Sequence, residues 1–171
     1  MRIVDARTIP TKTDDDDNQS RSLLWWLASP LTKVVVNATP PTTAVKRIDI
    51  AAQQGEAESW QVAIRPLAPG LKLAGVTAAG MPANVTMQWF KVVHVWCMQS
   101  EIYSLPGDRW LPDVLMPPKE FGNNGAMPLE PQVAHAIWLK FQVGNDAVPI
   151  STSNASISLH FSGASSLTIP V

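Results

Sequence analysis

The stretch AAQQGEAESWQVAIRP, residues 51–66, decides how the rest of the chain is interpreted. Large apolar residues and one glutamate occupy one parity of its second half, and small or polar residues occupy the other: Glu58, Trp60, Val62 and Ile64 against Ser59, Gln61, Ala63 and Arg65. Alternation with a period of two is typical of a β-strand. Pro66 ends the strand because it lacks the N–H that a ladder requires.

Further segments with strand character follow the same rule, separated by proline and glycine. They are residues 32–37, 45–51, 71–79, 85–98, 133–143, 154–161 and 167–171. The alternation in 71–79 breaks near Gly75, which predicts a bulge or an edge strand. No segment keeps a helical period beyond two turns. The sequence therefore predicts an all-β fold, an antiparallel β-sandwich of about eight strands.

Two segments depart from simple alternation. Residues 85–98 are apolar on both parities, which predicts a central strand that is covered on both faces. Residues 99–132 contain six prolines, so we expect one long irregular Pro-rich loop there. Such a long loop is typical of a functional segment or an interface, and its most distinctive part runs from Trp110 to Pro117.

Composition limits the classes of function. A chain of 171 residues fits one domain, and only 16% of it is charged, below the usual quarter. Low charge and seven tryptophans indicate either a surface that another body covers or a Trp-rich core. The net charge is −1 and the basic residues are scattered, so the sequence predicts no nucleic-acid partner.

The N-terminal part divides the chain. Residues 1–21, with a run of four aspartates, predict a flexible acidic leader, and residues 22–171 predict the sandwich. No apolar signal-peptide core precedes the aspartates, and residues 23–28 are too short to span a bilayer, so no membrane partner and no compartment are predicted. The single Cys97 allows no internal disulfide and gives no zinc-ligand spacing.

The titratable residues form no recognisable catalytic pattern. His94, His135 and His160 fall in three separate strands, and no nucleophile, metal or phosphate motif occurs, so no cofactor, metal or catalytic residue is assigned. Glu56 and Glu58 lie two residues apart on one strand face, the arrangement that a glycosidase could use. Capping of loop amides, or pairing with arginine, is the favoured role for both carboxylates.

Tryptophan is the other residue type with chemical potential. Four tryptophans lie outside the obvious core pattern, namely Trp25, Trp26, Trp110 and Trp138. Exposed indole rings stack on the apolar faces of sugars, which would suit a carbohydrate-binding module. The favoured alternative is that these rings are buried against an adjoining domain or against the long loop.

Three segments in order resemble the N-terminal domain of glycoside hydrolase family 123-like proteins. The residues Glu56, Glu58, Gln61, Ile64 and Pro66 resemble the E-x-E-x-x-Q-x-x-[IL]-x-P strand of that family. Trp110, Pro112, Asp113, Leu115 and Pro117 resemble its W-x-P-D-x-L-x-P loop, and residues 137–143 resemble the strand that follows. The resemblance covers residues 23–171. After Val143 the chain lacks the glycine and aromatic residue expected there, which implies an altered hairpin.

The resemblance implies an accessory role. In that family a catalytic (β/α)₈ barrel follows the sandwich, and this chain ends where the barrel would begin, so no catalytic residue is carried over. It implies a non-catalytic domain that packs on a glycosidase barrel or self-associates through an apolar surface. A carbohydrate-binding module is the alternative, and an independent hydrolase a third. Trp25, Trp26, Trp110, Asp113 and Trp138 are the candidate contacts, and Glu58 and Gln61 are expected to fix loops.

Overall fold

The computed structural model describes residues 22–43, 45, 47–97, 110–121, 126–147 and 154–171, and the expected leader at 1–21 lies outside them. Within these residues the strands are β1 (Leu23–Ala28), β2 (Ala57–Pro66), β3 (Lys72–Ala79), β4 (Val85–Trp96), β5 (Trp110–Met116), β6 (Met127–Pro128), β7 (His135–Val143), β8 (Ser156–Ser162) and β9 (Leu167–Pro170). Sheet A has the order β1-β2-β7-β4-β5, and sheet B has the order β6-β3-β8-β9. Every pairing is antiparallel, which confirms the all-β sandwich.

Six of the predicted strand segments form strands, and two do not. The register shift between Leu73 and Gly75 confirms the irregularity expected in β3. The strand predicted at 32–37 is wrong because this segment crosses sheet A and bonds to its side chains instead of to a neighbouring strand. The strand predicted at 45–51 is also wrong. Among the described residues of this segment, only Ile48 makes a main-chain bond to a strand, through its N–H to the oxygen of Pro170, and its side chain is buried in the core.

The predicted single irregular loop is wrong as well, because it contains β5, one turn of 3₁₀ helix (Pro118–Glu120) and β6. Strand β5 tolerates proline because it is the edge strand of sheet A and pairs only with β4. A register shift places Pro112 opposite His94 and Val114 opposite Val93, so Asp113 is the extra residue of a bulge. The described residues include no helix long and apolar enough to cross a membrane.

The main core lies between the two sheets and is densest at the middle of sheet A. Its largest fully buried side chains include Phe141 and Leu139 of β7, Ile64 of β2 and Leu159 of β8. Strand β4 lies between β7 and β5, but only Val92 along its length is buried. The expectation that residues 85–98 are covered on both faces is therefore wrong for β4. Trp89 instead packs at 5.6 Å against the ring of Phe121, outside the four strands of sheet B.

A second cluster lies on the outer face of sheet A, the face that points away from sheet B. Its members are Trp26, Ala28, Val34, Ala63, Val92, Ala134 and Ala136. Four of these residues are alanines with almost no exposed surface, so they form a shallow floor. Residues 29–38, which follow β1 and are called the strap here, cross this floor and place Val34 on it. Sheet A is thus covered on both faces at its β1–β2–β7 side.

Candidate functional site

The outer face of sheet A holds the strap through polar side chains of β2. Gln61 is only 2% exposed, and its Nε2 donates to the main-chain oxygens of Ser29 at 2.8 Å and Thr32 at 2.9 Å. Arg65 donates from Nη1 to the oxygens of Asn37 at 3.2 Å and Ala38 at 3.0 Å. These two residues point outward because they share the parity of β2 that faces away from sheet B. They hold the beginning and the end of the strap.

The middle of the strap is held by the strands beyond β2. His94 Nε2 lies 2.8 Å from the oxygen of Val34, and because a carbonyl only accepts, this nitrogen carries the proton. The N–H of Ala134 donates to Val36 at 2.8 Å, and Lys33 Nζ donates to the oxygen of Pro112 at 3.1 Å. Most of these hydrogen bonds are made to main-chain oxygens of the strap, so the surface binds the backbone of the strap more than its side chains.

An exposed apolar area remains at the β4–β5 edge of the same sheet. We call it the β4–β5 patch, and it consists of Trp96, Trp110 and Leu115, with 53%, 44% and 41% of their surfaces exposed. Val114 is 47% exposed as well, but it is opposite Val93 and points to the other face of the sheet. The two indole rings meet edge to face, with centroids 5.5 Å apart and planes at 67°. Opposed positions on β4 and β5 bring them together. Rings held against each other present a broad apolar surface with little side-chain entropy to lose.

The structure places the predicted tryptophans in different environments. Trp25 lies in the main core and Trp26 lies under the strap, so the prediction that they are outside the core is wrong for both. Strand β1 has buried residues on its two faces because the strap covers the outer one. Trp138 is half-buried and packs against the cluster on the outer face of sheet A, whereas Trp110 is exposed. Asp113 is exposed in the β5 bulge, next to the patch.

Trp96 is the residue of the patch that sequence reasoning missed. It lies at the last position of β4, and its alternation with Val92 and His94 assigned it to a strand face with no sign of exposure. The only available signal was the short separation of Trp96 and Trp110 in the sequence. Because β4 and β5 pair as antiparallel neighbours, their facing ends bring the two indoles together.

The paired carboxylates near the start of β2 bind main-chain N–H groups. Glu58 Oε2 accepts from Ala51 at 2.6 Å, and Glu56 Oε2 accepts from Gln53 at 3.0 Å. Neither carboxylate pairs with Arg47 or Arg65, the two arginines that the structure describes, because Arg47 pairs with Asp49 at 3.2 Å and Arg65 binds the strap. The geometry is that of capped loop amides, and it anchors the loop that enters β2. Trp60 adds to this anchor by donating from Nε1 to the oxygen of Asp49 at 3.1 Å.

The three histidines have separate hydrogen-bond partners. His135 is buried, and its Nε2 accepts from the N–H of Glu130 at 2.9 Å. Burial lowers the pKa of His135 to about 4, and the nearby Lys91 and His94 act in the same direction. His160 lies on sheet B and contacts Thr77 Oγ1 at 2.8 Å. In the part of the chain that the structure describes, no three His, Cys, Asp or Glu residues converge as metal ligands.

No family model matches the chain, and the search of curated proteins finds no match either. Among solved structures, the chain is similar to a family 123 glycoside hydrolase from Clostridium perfringens that hydrolyses glycolipid glycans. The TM-score is 0.57 at 14% sequence identity, and the similarity covers 86% of this chain but 26% of that enzyme chain. The chain thus spans about a quarter of the enzyme that it matches. The comparison shows a distant fold relationship with one part of a family 123 glycoside hydrolase.

Proposed function

We propose that this chain is a non-catalytic β-sandwich domain that packs on the catalytic domain of a glycoside hydrolase. The observation that carries the proposal is the extent of the structural similarity, which includes most of this chain and 26% of a larger glycosidase. A shared module of that size is typical of an accessory domain. The two glutamates that could have performed hydrolysis are engaged with loop N–H groups, which supports a structural role for them.

The β4–β5 patch is the surface that suits such packing. Aromatic side chains are enriched at protein interfaces, and tryptophan is among the residues that contribute most to binding. Trp96 and Trp110 are already held against each other, so binding would cost them little conformational freedom. Asp113, at the β5 bulge beside them, would form part of the polar rim.

The test begins with the coding sequence that adjoins this chain in its genome. We expect it to encode a glycosidase barrel, which would be expressed separately and titrated with the chain in a calorimeter. Trp110→Ala and Trp96→Ala should each weaken binding by at least about tenfold, as expected for interface centres. Thr168→Ala, on the exposed face of sheet B, is the matched control and should leave affinity unchanged. Glycoside turnover by this chain alone would overturn the proposal.

A second candidate is direct glycan binding by the same tryptophan pair. The exposed, edge-to-face arrangement of Trp96 and Trp110 favours it, because an indole face stacks on the apolar face of a sugar. A glycan array separates the two functions. Specific glycan binding that is lost in Trp110→Ala but kept in Thr168→Ala would support the second candidate. If the chain binds the barrel but is not retained by any glycan on the array, the first candidate is supported.

A further inference from the structure

The first part of the described chain forms an arm, residues 22–38, which consists of β1 and the strap. Among the strands that the structure describes, β1 is at the edge of sheet A and pairs only with β2, from Leu23 opposite Pro66 to Ala28 opposite Gln61. Its last four residues are nonetheless buried, with Trp25 in the main core and Trp26 under the strap. The arm is therefore held in place mainly by its contacts with the rest of the domain.

The surface that receives the arm recognises it mainly through its main chain. Gln61, Arg65, His94 and Ala134 all donate to oxygens of the strap, and β2 provides the ladder for β1. The side chain of Val34 packs on the alanine floor. The same arm from a second copy of this chain would make every one of these contacts unchanged.

The connection that follows the arm is built to extend. Residues 39–43 read Thr-Pro-Pro-Thr-Thr, and all but the half-buried Pro40 are exposed. Within the described part of the chain, no hydrogen bond involves these five residues. Proline fixes its own φ and pushes the preceding residue toward extended backbone, so a Pro-Pro pair favours a stretched linker. In the structure the arm packs on its own chain, with bends at Thr42 and Thr43 after the proline pair, and a linker that prefers a more extended path favours exchange of the element before it.

We infer that the arm exchanges between two copies of this chain, so that each β1 pairs with the β2 of the other copy in a two-fold dimer. This interface is independent of the proposed packing on a glycosidase. Exchange keeps the area that each arm already buries in its own chain, about 300–500 Å² for its two tryptophans alone, so the dimer loses none of the arm's contacts. Exchange of an identical element is a low-cost route to such a dimer.

A disulfide between the arm and β2 reports which chain supplies the arm. Leu67 donates to the oxygen of Ser22 at 2.9 Å, so the pair lies one step beyond the ladder of β1 and β2. Ser22→Cys and Leu67→Cys would be introduced together with Cys97→Ser, to leave two thiols. The chain would be refolded at a low and at a hundredfold higher concentration, oxidised, and separated on a non-reducing gel. We expect the covalent dimer fraction to rise at least fivefold at the higher concentration.

The control uses a pair that no exchange of the arm can separate. Ser158 and Thr168 oppose each other on β8 and β9, with their hydroxyl oxygens 3.0 Å apart. Their double cysteine variant in the same background should give only intrachain disulfide at every concentration. An arm variant that also stays a disulfide monomer at every concentration would overturn the inference. So would a dimer in solution whose disulfides are all intrachain, since the copies would then associate face to face.

The linker provides a second test that needs no disulfide. Inserting Gly-Ser-Gly-Ser after Pro41 should make the linker more flexible and favour packing of the arm on its own chain. Light scattering after chromatography should then show the dimer fraction falling at least fivefold. The matched variant inserts Gly-Ser-Gly-Ser after Gly163, in the turn between β8 and β9. It should keep the dimer fraction of the unmodified chain. Equal dimer fractions for the two insertions, or no dimer in the unmodified chain, would overturn the inference.

Discussion

The two sheets of this sandwich have outer faces of opposite character. On sheet A the strap crosses a floor of alanines and is held by buried or half-buried side chains such as Gln61 and His94. On sheet B the outward side chains are small and polar and bond to one another. Ser158 and Thr168 lie 3.0 Å apart, and His160 lies 2.8 Å from Thr77. The outer residues of sheet B are exposed or half-buried, whereas those beneath the strap have almost no exposed surface.

The difference shows how two strands with similar alternation can end in different surroundings. An antiparallel sheet tolerates water on one face, and sheet B uses that freedom. Strand β2 alternates as though one of its faces were also wet, yet residues 60–64 are buried without interruption. Its outer positions, Gln61 and Ala63, are small enough or polar enough to accept a crossing main chain. Alternation therefore predicts which face points inward but not whether the other face meets solvent.

Replacing tryptophan with alanine at two positions of sheet A should give the largest difference in the free energy of unfolding between two variants. Trp26 is 4% exposed beneath the strap, so Trp26→Ala should lower the free energy of unfolding by about 3–5 kcal/mol. Trp110→Ala, in the β4–β5 patch, should cost less than about 1 kcal/mol, because nearly half of its surface is already in water. Urea unfolding followed by circular dichroism measures both without relying on indole fluorescence. Equal losses would contradict the assignment of one ring to a core and the other to a surface.

The buried His135 should make stability depend on pH. Its pKa falls from 6.5 to about 4 on folding because burial disfavours the charged ring, so the unfolded chain binds the proton more readily. The contribution of the buried neutral ring to the free energy of unfolding is complete above about pH 6.5, and it is lost as the pH falls toward 4. The lowered pKa corresponds to about 3 kcal/mol. Urea midpoints measured from pH 7 to pH 4 should fall, and His135→Gln should remove most of that slope.

The control for this pH dependence lies on the other sheet. His160 is on the polar outer face of sheet B, where its partners are the hydroxyls of Thr77 and Ser166. His160→Gln should leave the slope of the unmodified chain in place. If His160→Gln flattened the curve and His135→Gln did not, the buried ring would not be the source of acid sensitivity.

Most of the fold was predictable from the sequence because period-two alternation survives in six of the nine strands. Strand β1 was missed because LLWWLA has no polar position to mark a face, and both of its faces are buried. Strand β5 was hidden by Pro112, which only an edge position tolerates. The error at 32–37 has another cause. The side chains that bond to the main chain of that segment lie at least 28 residues away in the sequence, which local pattern cannot reveal.

The candidate surface was predictable only in part. Trp110 stood out because it lies among prolines, and the structure places it in the open. Its partner Trp96 belongs to an ordinary-looking strand, and only the pairing of β4 with β5 brings the two rings together. The outward position of Gln61 was visible in the alternation, but its two acceptors belong to the strap, whose path no periodicity predicts.

Gln61 allows the smallest and most specific change to the covered face. Gln61→Leu removes both donors from the oxygens of Ser29 and Thr32 and replaces the carboxamide with an apolar side chain of similar size. We expect a loss of about 2 kcal/mol, because a buried acceptor that loses its partner costs about 1–3 kcal/mol and water can reach the end of the strap. Thr77→Val removes a hydroxyl from the outer face of sheet B and should cost less than about 0.5 kcal/mol, since that position is exposed.

Proteolysis adds a local readout: cleavage after Lys33 should accelerate in Gln61→Leu and stay unchanged in Thr77→Val. If both variants unfolded like the unmodified chain, the strap would be held by Val34 on its alanine floor and not by its hydrogen bonds. The two outer faces would then differ in packing alone.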